Sequence, residues 1–369
     1  MLQRVHETPA EGNLSCLTHP LFDGLVPPMK SKVLITGAAG FIGSHLADSL
    51  LEDGISVRCL TKPGSDMSRL AGSPSEIISG DIKVPSSLAL AMEGVHTVYH
   101  LAAISRLDAN VPDEEYYKTN VEGTRNVLES ARQAGVKKVL YTSTIEAVGT
   151  SKDGKPLTEA TTPAPRNIYG KTKLEAEKLV LDYHRQYGMD TFVVRPPMIY
   201  GPRELILCQR LFRIVKRGFY PVIGSGRALT EFCFVKNQVR GIRLAVENGK
   251  PGQVYFISDD RSYTIEEIVD AIALELRTSV VKPHIPVRLA LVMGLTFEIL
   301  SKIFRFYPFV IPQTGRPPFS RKTVEWTSES RLFCDISKAR LQLGYRPPYS
   351  LKEGIRQTVD WYKKNGHLK

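Results

Sequence analysis

From position 30 to 54 the chain reads KSKVLITGAAGFIGSHLADSLLEDG. A short apolar run, Val33–Thr36, meets three closely spaced glycines, and an apolar pattern of helical period follows as far as Gly54. Strand, glycine turn, helix is the geometry of a phosphate cradle. Gly37 permits the tight turn, Gly40 lets a pyrophosphate approach the backbone, and Gly43 lets the helix lie close on the strand. The helix N-terminus, opened by Phe41 and Ile42, supplies free N–H groups and a partial positive charge. A glycine triplet alone is a weak signal; one that follows a strand and opens a helix constrains the fold to parallel α/β units around a dinucleotide groove.

The rest of the chain continues that alternation. VRCL (Val57–Leu60), SEIISGDI, TVYHLAA (Thr97–Ala103), KKVLYTST and DTFVVRPPMIYG read as strands, with helices NVEGTRNVLESARQAG and YGKTKLEAEKLVLDYHRQYG between them. Strands alternating with helices of this length predict a doubly wound parallel sheet of Rossmann type. The dinucleotide-binding domain is expected over 30–200, with a returning strand–helix unit near 235–260. A smaller C-terminal substrate domain is expected over 201–369. Residues 1–29 lack periodicity and a secretory pattern. The expectation there is a disordered leader, or a native start at Met29.

Hydrophobic content of 42% and charged content of 24% suit an ordinary globular protein. The five cysteines are scattered, which fits neither a disulfide framework nor a zinc site and points to a reducing cytoplasm. The net charge of +11 is concentrated: from position 281 onward there are sixteen Lys and Arg against six Asp and Glu. Such a basic end attracts phosphorylated ligands or anionic lipid, or only solubilises the surface. No nucleic-acid motif accompanies it.

Cofactor preference is read at the end of the second strand, where an acid holds a ribose 2′-OH and a base accommodates a 2′-phosphate. Thr61 and Lys62 stand there, with Arg58 nearby and no acid directly after the strand. This favours NADP(H). NAD(H) stays open, because Asp66 could fold back to the ribose.

Tyr169 and Lys173 lie four residues apart at the start of a predicted helix, on one face and one turn from each other. A phenol of pKa about 10 is a poor acid–base group at neutral pH. A neighbouring ammonium stabilises the phenolate, and the same lysine can hold a ribose hydroxyl. The preceding strand ends in Ser143 and Thr144, either of which offers a hydroxyl to the substrate oxygen.

With these motifs together, the chain resembles the extended short-chain dehydrogenase/reductase family, in which nucleotide-sugar epimerases, dihydroflavonol reductases and 3β-hydroxysteroid dehydrogenases share one fold. The matching stretches are TGAAGFIG, GDI (Gly80–Ile82), HLAA (His100–Ala103), NVEGT (Asn120–Thr124), YTSTIEAVG (Tyr141–Gly149), YGKTK and RPPMIYGP (Arg195–Pro202). The resemblance implies that Tyr169 is the acid–base and Lys173 its partner, with Thr144 rather than Ser143 as the catalytic hydroxyl. It places Asp81 and Ile82 beside the adenine, and Leu101, Ala102 and Ala103 along the cofactor groove. Asn120 falls on the helix behind the tyrosine, and Pro196 to Ile199 pass beside the nicotinamide. It also implies a homodimer built on the NVEGT and YGKTK helices.

The run Thr144-Ile145-Glu146 lacks the acid that dehydratases of the family carry after the threonine, and it looks like the steroid-dehydrogenase branch. The expected activity is therefore alcohol–ketone interconversion on an apolar small molecule: sterol, flavonoid-like or lipid-derived. Two rivals stand beside it. One is a nucleotide-sugar 4-epimerase with tightly bound NAD, for which Arg203, Arg227 and Arg316 are candidate diphosphate contacts. The other is a non-catalytic NADP-binding sensor. Arg288–Ile311 adds an apolar stretch whose longest uncharged run, Leu289–Phe297, is too short to span a bilayer. At helical spacing Leu289, Val292, Met293, Phe297, Leu300 and Phe304 form an apolar face against a stripe of Glu298, Lys302 and Arg305. This is either a buried core helix or one that touches a membrane surface peripherally.

Overall fold

The computed structural model describes residues 32–105, 111–151, 153–304, 320–321, 324 and 332–368. The leader over 1–29 lies outside the described residues, as do Arg305 and Arg316.

Seven parallel strands form the central sheet: β1 (Lys32–Thr36), β2 (Val57–Thr61), β3 (Glu76–Ser79), β4 (Val95–His100), β5 (Lys138–Thr142), β6 (Asp190–Arg195) and β11 (Gln253–Phe256). Their order across the sheet is β11-β6-β5-β4-β1-β2-β3, so the direction of winding reverses between β1 and β4. In such sheets the crevice beyond the carboxyl ends at the reversal is where ligands bind. The strands read as nearly continuous apolar runs because both faces are covered.

Alternate side chains enter different cores. Val33, Ile35, Cys59, Leu140, Phe192 and Val194 pack on one face against α1 (Phe41–Glu52), α7 (Val235–Glu247) and α10 (Ser337–Leu343). Leu34, Leu60, Val98, Val139 and Val193 pack on the other. There they meet α2 (Ser86–Met92), α4 (Gly123–Gln133) and α5 (Ile168–Tyr187). Ahead of α4 runs α3 (Asp113–Tyr116) and a π-helical turn over Tyr117–Glu122.

A third core lies beyond the sheet. β7 (Met198–Tyr200) pairs in parallel with β10 (Phe232–Phe234), and Tyr200 stacks on Phe232 with ring centroids 4.1 Å apart. Around this pair pack α6 (Leu207–Lys216), α8 (Ile265–Leu276) and α11 (Leu351–Lys364). Three two-residue strands, β8 (Val222–Ile223), β9 (Leu229–Thr230) and β12 (Tyr263–Thr264), lie nearby in sequence, and α8 and α11 each begin with a capping box.

After β13 (His284–Ile285) comes α9 (Val287–Ile303), the expected helix of the 288–311 stretch. It is not a buried core helix. Only Ala290 and Gly294 are buried, while Leu289, Val292 and Met293 of the expected inward face are exposed. The polar stripe does form at Glu298, which pairs with Arg321 at 3.0 Å. The inward contact selects small residues rather than the bulky ones, a choice that apolar periodicity cannot see. Among the described residues no helix is long and apolar enough to cross a membrane.

Candidate functional site

The glycine turn sits at the winding reversal, and packing dictates its composition. Gly37 has φ +73°, and a Cβ there would fall 2.7 Å from the Ala102 nitrogen. A Cβ on Gly43 would fall 2.3 Å from the Gly37 carbonyl oxygen. α1 begins without a side-chain cap or an acid in its first turn, which leaves its leading N–H groups suited to an anion. The cradle that a methyl group would fill, with uncapped amides above it, fits a dinucleotide pyrophosphate. Gly40 is exposed, Phe41 and Ile42 are half-buried, and Leu101, Ala102 and Ala103 line the way out of β4 in partly exposed positions.

At the adenosine end the cations divide. Lys62 is exposed just beyond β2, its Nζ 3.8 Å from an Asp81 carboxylate oxygen. Asp66 is occupied by the backbone N–H and hydroxyl of Ser68. Arg58 is a correction. Its guanidinium donates to the carbonyls of Leu90, Ala91 and Glu93 and pairs with Glu76 at 2.9 Å. It sits near the start of β2, away from the carboxyl end where a ribose would lie, and closes the C-terminus of α2 instead. Ile82 is buried, packed where a Cβ on Gly123 would collide with it, which leaves Asp81 as the more open of that pair.

A buried hydrogen-bond chain ties this turn to the next motif. The Ala102 N–H donates to Thr36 Oγ1 at 3.2 Å, and Thr36 Oγ1 and His100 Nδ1 are 2.7 Å apart. His100 Nε2 is 3.0 Å from Thr124 Oγ1, which donates to the Asn120 carbonyl at 2.6 Å. Thr124 therefore accepts from Nε2–H, and Nδ1 accepts from the Thr36 hydroxyl. Burial pushes the His100 pKa down to about 3, consistent with this neutral tautomer. Asn120 is buried as well: it grips the Ile104 backbone in both directions and donates to Thr172 Oγ1 at 3.1 Å. It braces the first turn of α5 rather than reaching into the groove with its side chain.

That first turn carries Tyr169. Asn167 caps α5 by accepting from the Gly170 N–H at 2.8 Å, and its own amide donates to Glu146 at 2.7 Å. A Cβ on Gly170 would fall 2.4 Å from the Glu146 carbonyl oxygen, so glycine lets the helix start press on the loop after β5. One turn on, Lys173 is 2% exposed, donates to the Thr142 carbonyl at 2.6 Å and lies 4.2 Å from the Tyr141 ring centroid. Burial holds its pKa down to about 7, opposed by Glu177, whose carboxylate is paired with Arg195.

Tyr169 and Thr144 line one cavity of about 190 Å³. Thr144 Oγ1 accepts from the Glu146 N–H, which orients it. Ser143 is not among the lining residues, and its hydroxyl is buried without a partner among the described residues. Ile199, together with Pro197 and Met198, forms part of the wall, whereas Pro196 is buried and accepts from the Ile145 N–H at 2.8 Å. Phe41, assigned to the cofactor by sequence, reaches the same wall.

Sequence reasoning missed Glu204, Leu207, Thr230, Glu231 and Leu332, all lining residues. They follow the tyrosine helix by tens of residues and carry no local pattern. Glu204 accepts from the N–H groups of Ile206, Leu207 and Cys208. Glu231 accepts from the Ser262 hydroxyl and the Cys334 N–H, and burial raises its pKa. Of the proposed diphosphate contacts, Arg203 pairs with Asp48 at 2.7 Å and Arg227 is exposed; neither lines the cavity.

Comparison with known proteins identifies the family and the fold. The N-acetyl-alpha-D-glucosaminyl-diphospho-ditrans,octacis-undecaprenol 4-epimerase of Escherichia coli O157:H7 is 28% identical, over 90% of this chain and 96% of its own. The 3-beta-hydroxysteroid dehydrogenase of Mycolicibacterium neoaurum is 29% identical, over 90% of this chain and 91% of its own. The crystal structure of a Thermotoga maritima UDP-glucose 4-epimerase superposes with a TM-score of 0.72 at 24% identity, covering 90% of this chain and 99% of that one, and so shares the fold. The profile of the NAD dependent epimerase/dehydratase family matches residues 33–258. The chain belongs to that family of NAD-dependent enzymes.

Proposed function

We propose that this enzyme interconverts a secondary alcohol and a ketone on a neutral, largely apolar small molecule. The observation that carries the reading is the cavity wall. Among the described residues it holds Phe41, Ile145, Met198, Ile199, Leu207 and Leu332, three carboxylates, and no Lys or Arg. Glu146, Glu204 and Glu231 place acceptor oxygens, and no cation, where the diphosphate of a nucleotide sugar would need cations. Burying an anion beside carboxylates is strongly unfavourable, whereas a hydroxyl or ketone on an apolar skeleton meets no such cost.

The glycine turn, the uncapped α1 and Asp81 would hold the dinucleotide, with Lys62 beside the adenosine ribose. When bound, the cofactor supplies or accepts hydride at its nicotinamide. Thr144 donates its hydroxyl hydrogen to the substrate oxygen and holds it beside Tyr169. The Tyr169 hydroxyl gives its proton to that oxygen in reduction and takes it back in oxidation. Lys173, when protonated, makes the phenolate tolerable from one helical turn away and offers its amine to a ribose hydroxyl. Lys62, without an acid directly after β2, favours NADP(H). Pairing into a homodimer through the faces of α4 and α5, where Tyr187 is exposed, belongs to the same reading.

The test is a substrate panel followed at the absorbance of reduced nicotinamide. Steroids, flavanonols and β-keto lipids should turn over with NADPH, and UDP-sugars should not. Tyr169→Phe should lower kcat by about 10²–10⁴-fold with cofactor affinity kept. Tightly retained NAD in the purified protein, together with UDP-sugar epimerisation, would overturn the reading in favour of the epimerase.

A further inference from the structure

Helix α9 wears its polarity inside out. At 100° per residue, buried Ala290 and Gly294 mark the inward direction. The opposite arc carries Leu289, Val292, Leu295, Ile299 and Ile303, with exposures from 41% to 65%. A helix that only filled space would turn these side chains inward and leave its small residues out. Its charges follow the same logic. Arg288 lies within the apolar arc near one end and Lys302 at its edge near the other, and both are exposed. Glu298, the one acid of the helix, lies one turn before Lys302 toward the inward side, where it is half-buried and paired with Arg321.

We propose that this face is a docking surface for an anionic lipid bilayer, which α9 enters flat without crossing. Seventeen residues give a rod of about 25 Å, long enough to lie in the headgroup region and shorter than the roughly 20 residues a span needs. The apolar arc enters the acyl boundary while Arg288 and Lys302 stay with the headgroups. Charge complementarity selects lipid over a second copy of the chain: two such faces packed together would bring their cations toward each other, and the one nearby acid, Glu298, is already paired with Arg321. The basic surplus from position 281 onward adds attraction to an anionic surface. The bilayer would then be a source of apolar substrate, although docking does not depend on the reaction.

The experiment is flotation of the full chain with phosphatidylcholine vesicles, with and without about 30 mol% phosphatidylserine, at about 20 and 300 mM salt. The protein should float with the anionic vesicles at low salt and less at high salt. Val292→Glu/Ile299→Glu should lower partitioning at least tenfold. Arg288→Glu/Lys302→Glu should remove the dependence on phosphatidylserine. Leu274→Glu, at an equally exposed leucine of α8, should leave binding unchanged. Circular dichroism melts check that each variant is folded. Wild-type protein that stays at the bottom with anionic vesicles overturns the proposal, as does a Val292→Glu/Ile299→Glu protein that floats normally. Equal loss with Leu274→Glu does so too. A dimer that the α9 variant splits, without vesicle binding by the wild type, would assign the face to a second copy.

Discussion

Replacing Lys173 with methionine should change how stability depends on pH, and the size follows from the structure. The amine is 2% exposed, and its pKa falls from 10.5 to about 7, mainly through burial. The folded protein therefore binds fewer protons at this site than the unfolded chain between about pH 7 and 10.5. Stability must rise with pH across that window. Below about pH 7 the full cost of a buried ammonium is present in the wild type. For these two pKa values the linkage relation gives a gain of about 2 kcal/mol between about pH 6 and pH 8.5. Lys173→Met keeps an unbranched side chain one atom shorter and removes the titration. Urea unfolding at both pH values, with the change in the variant subtracted from that of the wild type, should leave a difference of about 2 kcal/mol. Parallel pH profiles for the two proteins would refute the placement of this amine in a dry pocket between the Thr142 carbonyl and the Tyr141 ring. The same variant should lose most turnover, because nothing then stabilises the Tyr169 phenolate.

Lys62→Ala should lower the NADPH-to-NADH ratio of kcat/KM at least tenfold. Arg58→Ala should leave that ratio alone and lower stability by about 2–4 kcal/mol, since three carbonyls and Glu76 lose their partner. Gly43→Ala, by placing a methyl 2.3 Å from the Gly37 carbonyl, should weaken dinucleotide binding measured by fluorescence titration and lower Tm. His100→Leu should reduce both stability and kcat while Thr36→Ser changes little, because the relay through His100 needs a nitrogen on each side and only a hydroxyl at Thr36.

Much of the site was legible before any coordinates. TGAAGFIG states its own geometry, because one strand, one turn and one helix are contiguous and the steric demand on Gly37 and Gly43 arises within a few residues. Tyr169 and Lys173 share a helix, so their spacing alone puts them together. Arg58 was misread for a related reason: sequence distance from the glycine turn cannot tell which end of a strand a residue occupies. α9 kept two readings open because periodicity reveals that a helix has two faces without saying which one meets protein.

The cavity wall belonged to the tertiary structure throughout. Glu204, Glu231 and Leu332 meet Tyr169 only after the chain has crossed the sheet and folded back through the third core. The Thr36–His100–Thr124–Asn120 relay likewise joins elements with separations of 24 and 64 residues at two of its links. Sequence determines what local sterics and a repeating period enforce: the sheet, the glycine turn and the helix that carries Tyr169 and Lys173. What the cavity admits depends on charges and apolar groups gathered from distant segments, and those meet only because burying their backbones and side chains together excludes water.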